Sequence, residues 1–515
     1  MGVILQQSIK GTIVTYLGTF LGFLTTFFVL TRFLSPAEVG LSRVLIDTAT
    51  LLISLAQLGA STSIIRFFPY FKDEETQHHG FFGYTVIIPF VGFLFFGLIF
   101  ILVKGPVSSM FVDNSPLFVN FYYFVLPLAF AMLYQIIFET NINALMHVVF
   151  PRFVREVLVR LCMLTTYLLY AFDHISLTGF VVAICVTYGI AAIANITYLL
   201  RLGKFSWKPD LSYLTPELKR NFYYYTLFML TSALSGILAP MLSSYFVTAQ
   251  LGLKSTGIFA IATYMASMIA MPYRSLGAIA TPQIAQAVKD HDDEQVSMLT
   301  QKVALNQMFV GIFVFLAIWV NVDLIYALLP NGELYGTGRY ALFFLLWGQL
   351  ITSALMISNN VLNYSHHYYL SLFFTILLTA ATIGLNAIML PPWGMAGSAA
   401  ASTLAFLLFY GLQLWVIHKV LHVNILTKNT LYLVVVLLFV LACDWLFNKM
   451  VMPKSPDLVI LFLLAIVKNI MLIALPAYYC YKKELSADIN YLIGQILLKI
   501  DEILHRNKTD NHRNR

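Results

Sequence analysis

The chain has 515 residues, 59% of them hydrophobic and only 11% charged, against roughly 25% charged in an average soluble domain. At a mean hydropathy of +0.80 such a composition cannot cover a water-exposed surface. That excludes a soluble enzyme, a disordered chain, and a nucleic-acid partner for the net charge of +7.

Apolar runs of about 20 residues, the length that crosses a bilayer, fall at 11–31, 38–66, 80–103, 117–139, 153–172, 176–200, 221–248, 255–281, 303–329, 340–362, 368–390, 394–418, 430–448 and 457–480. They predict an all-α integral membrane protein of about fourteen transmembrane helices whose connections are too short to hold a soluble domain. The first run is of spanning length and lacks a small-residue cleavage site, so it reads as a retained helix. With the N-terminus inside, 22 of the 31 Lys and Arg lie on cytoplasmic segments and six on outer ones. Both termini are therefore expected in the cytoplasm. The four cysteines show no CxxC spacing and no neighbouring His cluster, so neither a disulfide framework nor a metal site is expected.

Between the first two runs lies Leu34-Ser35-Pro36-Ala37-Glu38-Val39-Gly40-Leu41. A shift of 217 residues places it over Leu251-Gly252-Leu253-Lys254-Ser255-Thr256-Gly257-Ile258, between the seventh and eighth runs. Two explanations compete: duplication of a six-helix unit, which gives parallel copies about an axis along the membrane normal, and two unrelated Gly-containing turns. Duplication divides the chain into an N-terminal six-helix lobe (1–202), a basic cytoplasmic linker (203–220) and a C-terminal six-helix lobe (221–420). Helices thirteen and fourteen (421–480) and a cytoplasmic tail, amphipathic and then disordered (481–515), complete it.

Charges inside a bilayer cost on the order of 2.5–3.5 kcal/mol on insertion scales and face cavities or partners. Arg43 and Asp47 stand four apart on helix two, so they share a face within mutual reach. A structural ion pair and a substrate contact are equally open for them. Arg274 follows Pro272 and has no acid within a turn, which leaves a bound anion or snorkelling to the inner interface. Asp444 and Lys468 come to about the same depth when counted at about 1.5 Å per residue from their inner helix ends, and are expected to form a structural ion pair. Arg152, Arg155, Glu156 and Arg160 open helix five, where local pairs support the helix and the basic excess meets anionic headgroups. The small residues from Gly394 to Ser402 allow close helix packing.

The opening Ser8-Ile9-Lys10-Gly11, the Leu34–Gly40 turn, the Leu58-Gly59-Ala60-Ser61-Thr62-Ser63-Ile64-Ile65-Arg66 stretch and the helices grouped as six, six and two together resemble the polysaccharide-biosynthesis transporters of the MOP superfamily, the Wzx-type lipid-linked oligosaccharide flippases. The resemblance implies a MATE-like fold and alternating access. The implied cargo is a sugar chain on undecaprenyl diphosphate, moved from the cytoplasmic to the periplasmic leaflet of a bacterial inner membrane. It implies no catalytic residue and no cofactor, with coupling to an H+ or Na+ gradient open and Asp47 or Glu139 as candidate acids. Membrane lipids, the lipid-linked oligosaccharide and a polysaccharide polymerase or other assembly proteins are the implied partners. Related flippases line their cavity with cations on helices one, two and eight, where this sequence has Arg32, Arg43, Arg66 and Arg274. Two other functions stand beside flipping. A small-molecule exporter of the same fold would be expected to carry an unpaired acid in the first lobe, and a membrane glycosyltransferase or polymerase would need paired outer carboxylates. The outer acids here are scattered.

Overall fold

The computed structural model describes residues 14–73, 75–203, 206, 208, 210, 215–367, 369–451, 457–491 and 493–495, and within helices leaves undescribed the side chains of 216–219, 221–240 and scattered positions that include Arg66 and Arg274. The Ser8–Gly11 opening, most of the linker and the tail beyond 495 lie outside the described residues. Every regular element among the described residues is helical.

The first repeat begins with α1 (Val14–Phe33), which ends at the outer face, the side that the charge bias assigns to the outside. Ser35 then starts α2 (Pro36–Ala56) with a capping box: its hydroxyl accepts from the Glu38 amide while Glu38 accepts from the Ser35 amide, and Pro36 fills the first turn. The 38–66 run is not one helix. Leu58 and Gly59 adopt left-handed φ of 49° and 71°, which ends α2 and lets α3 (Ala60–Phe71) start in a new direction. There follow α4 (Phe81–Leu102), α5 (Tyr122–Ala144), α6 (149–171, with a π-helical segment at Val154–Leu158) and α7 (Leu177–Arg201).

The second half consists of α8 (Pro216–Ser267), α9 (Met271–Lys289), α10 (Asp293–Trp319), α11 (Arg339–Tyr364), α12 (Tyr369–Leu421), α13 (Lys428–Val451) and α14 (Leu458–Lys482). Among the described residues, eleven helical stretches are long and apolar enough to cross a membrane, where the sequence has fourteen apolar runs. The difference has physical causes. Helix α6 packs four charges into 152–160. The seventh and eighth apolar runs share α8, in which two helices meet at the expected turn, a non-helical Gly252 (φ 82°, ψ 170°). The eleventh and twelfth apolar runs likewise share α12, in which two helices meet at a non-helical Gly394 (φ 56°, ψ −140°) after Pro391 and Pro392. Both junctions use backbone angles that glycine alone adopts at little cost.

The helices form two compact units. The first comprises 1–262, 329–341 and 375–402; the second comprises 263–328, 342–374 and 403–515. In the first, α5 packs on α7 through Tyr134, Phe138, Ile142, Ala192 and Leu199. The buried amide of Asn141 there donates to Thr85 Oγ1 at 2.8 Å, satisfying a polar group that apolar surroundings would otherwise penalise. One face of α4 exposes Ile87, Phe90, Val91, Leu94, Phe95 and Leu98, as a lipid-facing helix must. In the second unit, α9 and α10 pack together and α10 carries α13.

Candidate functional site

Within the first unit, α2 meets the outer part of α8 through two glycines. A Cβ on Gly40 would overlap the Leu253 carbonyl oxygen, and one on Gly257 would overlap that of Pro36. Residues 40 and 257 are 217 apart, and so are 36 and 253. The contact is therefore reciprocal: each glycine receives the backbone of the other's repeat, the signature of a two-fold-related interface. The same shift organises the polar contacts around it. The Asn331 side chain donates to the Thr31 carbonyl at 2.7 Å, and the Ser115 hydroxyl donates to the Thr248 carbonyl at 2.7 Å. Thr31 and Thr248 are fully buried equivalents. Asn331 is the equivalent of Asn114, which donates to the Ala249 carbonyl at 2.9 Å. The short helices Lys104–Phe111 and Pro116–Asn120 likewise recur as Val322–Leu328 and Gly332–Gly336. Duplication thus accounts for contacts that unrelated turns would not produce. The eight-residue match shows only two identities, but the same shift extended to Thr31, Asn114, Thr248 and Asn331 carries the signal.

One and two turns further along α2 from this closure lie Arg43 and Asp47. Arg43 Nε donates to Asp47 Oδ2 at 2.8 Å, with the carboxylate side chain 5% exposed and the arginine 28%. The Ser244 side chain also bonds Asp47, and the Tyr245 hydroxyl donates to Thr48 Oγ1 at 3.1 Å. The first-repeat acid is thus shared between its own helix and α8, with the guanidinium the more accessible of the pair.

A second charged group occupies the inner third of the first repeat. Arg155 on the π segment of α6 donates to Glu139 of α5 at 2.5 Å and to Glu156 at 3.2 Å. Gln135 donates to the other Glu139 oxygen at 3.3 Å. Arg160 donates to Glu156 at 3.0 Å and to the Gly18 carbonyl of α1. Arg155 and Arg160 are therefore both engaged inside the repeat, with the Arg155 side chain still 49% exposed. The connection between α5 and α6 hides the Glu139–Arg155 pair from a reading by helical spacing. The hydrogen bonds of the π segment span one more residue than those of an α-helix, a distortion that often accompanies functional sites.

Arg32 lies exposed near the outer end of α1 with its guanidinium 5.6 Å from the Phe33 ring centroid. Arg66 is on α3 rather than on a continuous helix two. Arg274 is in the first turn of α9, just after a 3₁₀ turn at Met268–Ala270 and beside Pro272. The side chains of these last two lie outside the described residues. In the second unit, Lys468 Nζ lies 2.9 Å from Asp444 Oδ1, each side chain 4% exposed. Asn448 donates to the other Asp444 oxygen at 3.1 Å, and Asn469 and Asn321 exchange side-chain hydrogen bonds of 2.9 Å beside it. Ser398 and Ser402, from the small-residue stretch of α12, bond Asn386 and Ser243, so that stretch packs on α8. No cluster of metal-ligating side chains occurs among the described residues.

A family model described as polysaccharide biosynthesis protein matches residues 4–288. No curated protein matches by sequence. Among solved structures, the chain is similar to the lipid II flippase MurJ in an inward closed conformation, with a TM-score of 0.68, 12% identity, and 93% of this chain and 100% of that one covered. It is also similar to a single-residue mutant of the Vibrio cholerae MATE transporter VcmN, at a TM-score of 0.57, 14% identity, and 82% and 98% coverage. A third is a MOP superfamily transporter from Pyrococcus furiosus, at 0.53, 15% identity, and 81% and 96% coverage. The fold is that of these transporters.

Proposed function

The chain belongs to the polysaccharide biosynthesis protein family, and from that premise we propose that it flips an undecaprenyl-diphosphate-linked oligosaccharide from the cytoplasmic to the periplasmic leaflet of a bacterial inner membrane by alternating access. The observation that carries this reading is the reciprocal closure at Gly40 and Gly257. Two equivalent backbone surfaces packed at one end of a duplicated bundle make an interface that can part as a unit, because backbone rather than side chain fills the contact at Gly40 and Gly257. Alternating access needs such an interface on each face in turn. Arg43, Arg66, Arg274 and Arg32 are the proposed contacts for the diphosphate, with Asp47 orienting Arg43. Coupling to an H+ or Na+ gradient is assigned to Asp47 or Glu139, which with Glu156 are buried acids of the first repeat. Both termini are proposed to be cytoplasmic, with a polysaccharide polymerase or other assembly proteins as partners.

The test is direct. In a deletion strain the lipid-linked oligosaccharide should accumulate on the inner leaflet, and the purified protein in proteoliposomes should move a fluorescently labelled undecaprenyl-diphosphate sugar between leaflets. A strain that exports its polysaccharide normally without the protein, combined with proteoliposomes that move none, would overturn the assignment. Small-molecule export, the second reading supported by the fold, predicts instead that proteoliposomes move a cationic dye and leave the lipid-linked sugar where it is.

A further inference from the structure

At the face the charge bias assigns to the cytoplasm, the second unit contains a half-open cavity of about 410 Å³, within the range of small-molecule sites. Three helix connections build it. After α9, His291 takes a left-handed φ of 58°, which turns the chain so that Asp292 can cap α10 by accepting from the Gln295 amide at 2.9 Å. After α11, Ser365 leaves the helix in extended conformation, and its hydroxyl accepts from the His367 amide at 3.1 Å. The end of α12 supplies Leu421 and Val423 as part of an apolar floor with Val288, Val296 and Val361.

The polar groups facing this floor are Lys289, His291, His366, His367, Tyr364, Ser365 and a single carboxylate, Asp293. The neighbouring acids are committed elsewhere: Asp290 accepts from the Gln286 side chain at 2.8 and 3.0 Å, and Asp292 is the helix cap. His291 and His366 lie nearly parallel, ring centroids 5.9 Å apart at 16°. His367 Nδ1 is sheltered from solvent and has no hydrogen-bond partner among the described residues. A lysine and three imidazoles, one of them with a sheltered ring nitrogen left over, are suited to a phosphate group. One carboxylate among them is suited to hydroxyls, which donate to it, and repels a bare anion.

We propose that this cavity, built by Lys289, His291, His366, His367 and Asp293, binds a hydroxyl-bearing phosphoester, the shared chemistry of a glycerol or sugar phosphate in solution and of a glycerophospholipid headgroup at the membrane. The apolar floor receives the carbon skeleton, Lys289 and the imidazoles receive the phosphate, and Asp293 accepts from the hydroxyls. The site shares no residue with the outer closure or with Arg43, and does not depend on the flipping assignment.

The full-length protein should be purified in detergent and titrated with glycerol 1-phosphate and inorganic phosphate by calorimetry. It should then be placed in nanodiscs with or without phosphatidylglycerol and its retained lipid weighed by native mass spectrometry. The expected result is binding of glycerol 1-phosphate, of phosphatidylglycerol or of both, weakened at least tenfold by Lys289→Ala combined with His366→Ala and kept by Lys289→Arg. Asp293→Asn should reduce the preference for the glycerol ester over inorganic phosphate. Binding of the soluble ester alone identifies a soluble ligand, and retention of the phospholipid alone identifies a headgroup. No binding of either, binding that the folded double variant retains, or histidine-dependent uptake of Zn²⁺ with no phosphoester binding would each overturn the proposal. Unchanged thermal stability of the double variant separates lost binding from lost fold.

Discussion

The outer closure and the inner charged group of the first repeat perform comparable packing by opposite means. At the closure, backbone lies on backbone at Gly40 and Gly257, and the polar contacts around it end on main-chain carbonyls. At the inner group, Glu139, Glu156, Arg155 and Arg160 share hydrogen bonds between side chains from α5 and α6. Close-packed surfaces do not deform gradually, so the closure is either made or broken. Long charged side chains have many rotamers and can re-pair as their surroundings change. The difference teaches where a two-state transition can reside: in the part of the repeat with the least side-chain freedom.

Replacing either glycine at the closure is therefore expected to have the largest effect of any single change. Gly257→Leu places a side chain where a Cβ alone would overlap the Pro36 carbonyl oxygen, and a backbone atom cannot swing aside. A bias of about 5.5 kcal/mol takes a two-state equilibrium from 1:99 to 99:1, and a steric block at the centre of the interface is of that order. The expected outcome is a folded, inserted protein held open at the outer face. In a background lacking the four native cysteines, a cysteine at the fully buried Thr248 should become reactive to an impermeant thiol reagent from outside. Gly40→Leu should do the same. If one glycine variant opens the face and the other leaves it closed, the two repeats are not equivalent at this contact.

Breaking the Asp444–Lys468 pair comes next in size. Removing one member of a buried pair strands the other charge and costs about 3–5 kcal/mol. Asp444→Ala is expected to lower the thermal stability of the purified protein sharply. The double exchange of Asp444→Lys with Lys468→Asp should recover most of the loss, because each side chain is 4% exposed and faces chiefly the other. A double exchange as unstable as the single change would mean that the surrounding asparagines fix the polarity of the site.

These two sites also show what the sequence makes legible. Asp444 and Lys468 could be paired from depth alone, because a straight helix advances by a fixed rise and a buried charge requires a partner. Arg43 and Asp47 could be paired because four residues make about one turn. Glu139 and Arg155 could not, because they lie on different helices joined by a left-handed residue at Met146 and a π segment, neither of which has a periodic signature. The break of helix two at Leu58–Gly59 escaped because the apolar run continues through it. The break at Gly252 was legible, because a glycine before a polar stretch separates two apolar runs there.

The Glu139–Arg155 pair is expected to contribute less than the Asp444–Lys468 pair, because the Arg155 side chain is 49% exposed and solvent screens it. A double-mutant cycle with Glu139→Gln and Arg155→Gln should return a coupling of about 1 kcal/mol or less in thermal stability. In proteoliposomes the informative comparison is transport with and without an imposed proton gradient. If Glu139→Gln removes the response to the gradient while stability falls only slightly, the acid is a coupling site. If transport and its gradient response fall together with stability, the pair is structural.

The smallest effects belong to the two asparagines, and they examine the repeat symmetry most finely. Each donates one hydrogen bond to a main-chain carbonyl of the opposite repeat, Asn331 to Thr31 and Asn114 to Ala249. Such bonds contribute about 1 kcal/mol or less. The Asn331 bond is partly buried and the Asn114 bond is exposed, so Asn331→Ala should raise labelling at Thr248→Cys more than Asn114→Ala does. Because the two bonds brace the same closure from equivalent positions, the double variant should show the product of the two single effects on the opening equilibrium. A double variant no more open than Asn331→Ala alone would mean that the Asn114 bond contributes nothing to holding the face shut, and that the symmetry of the backbone has outlasted the symmetry of its energetics.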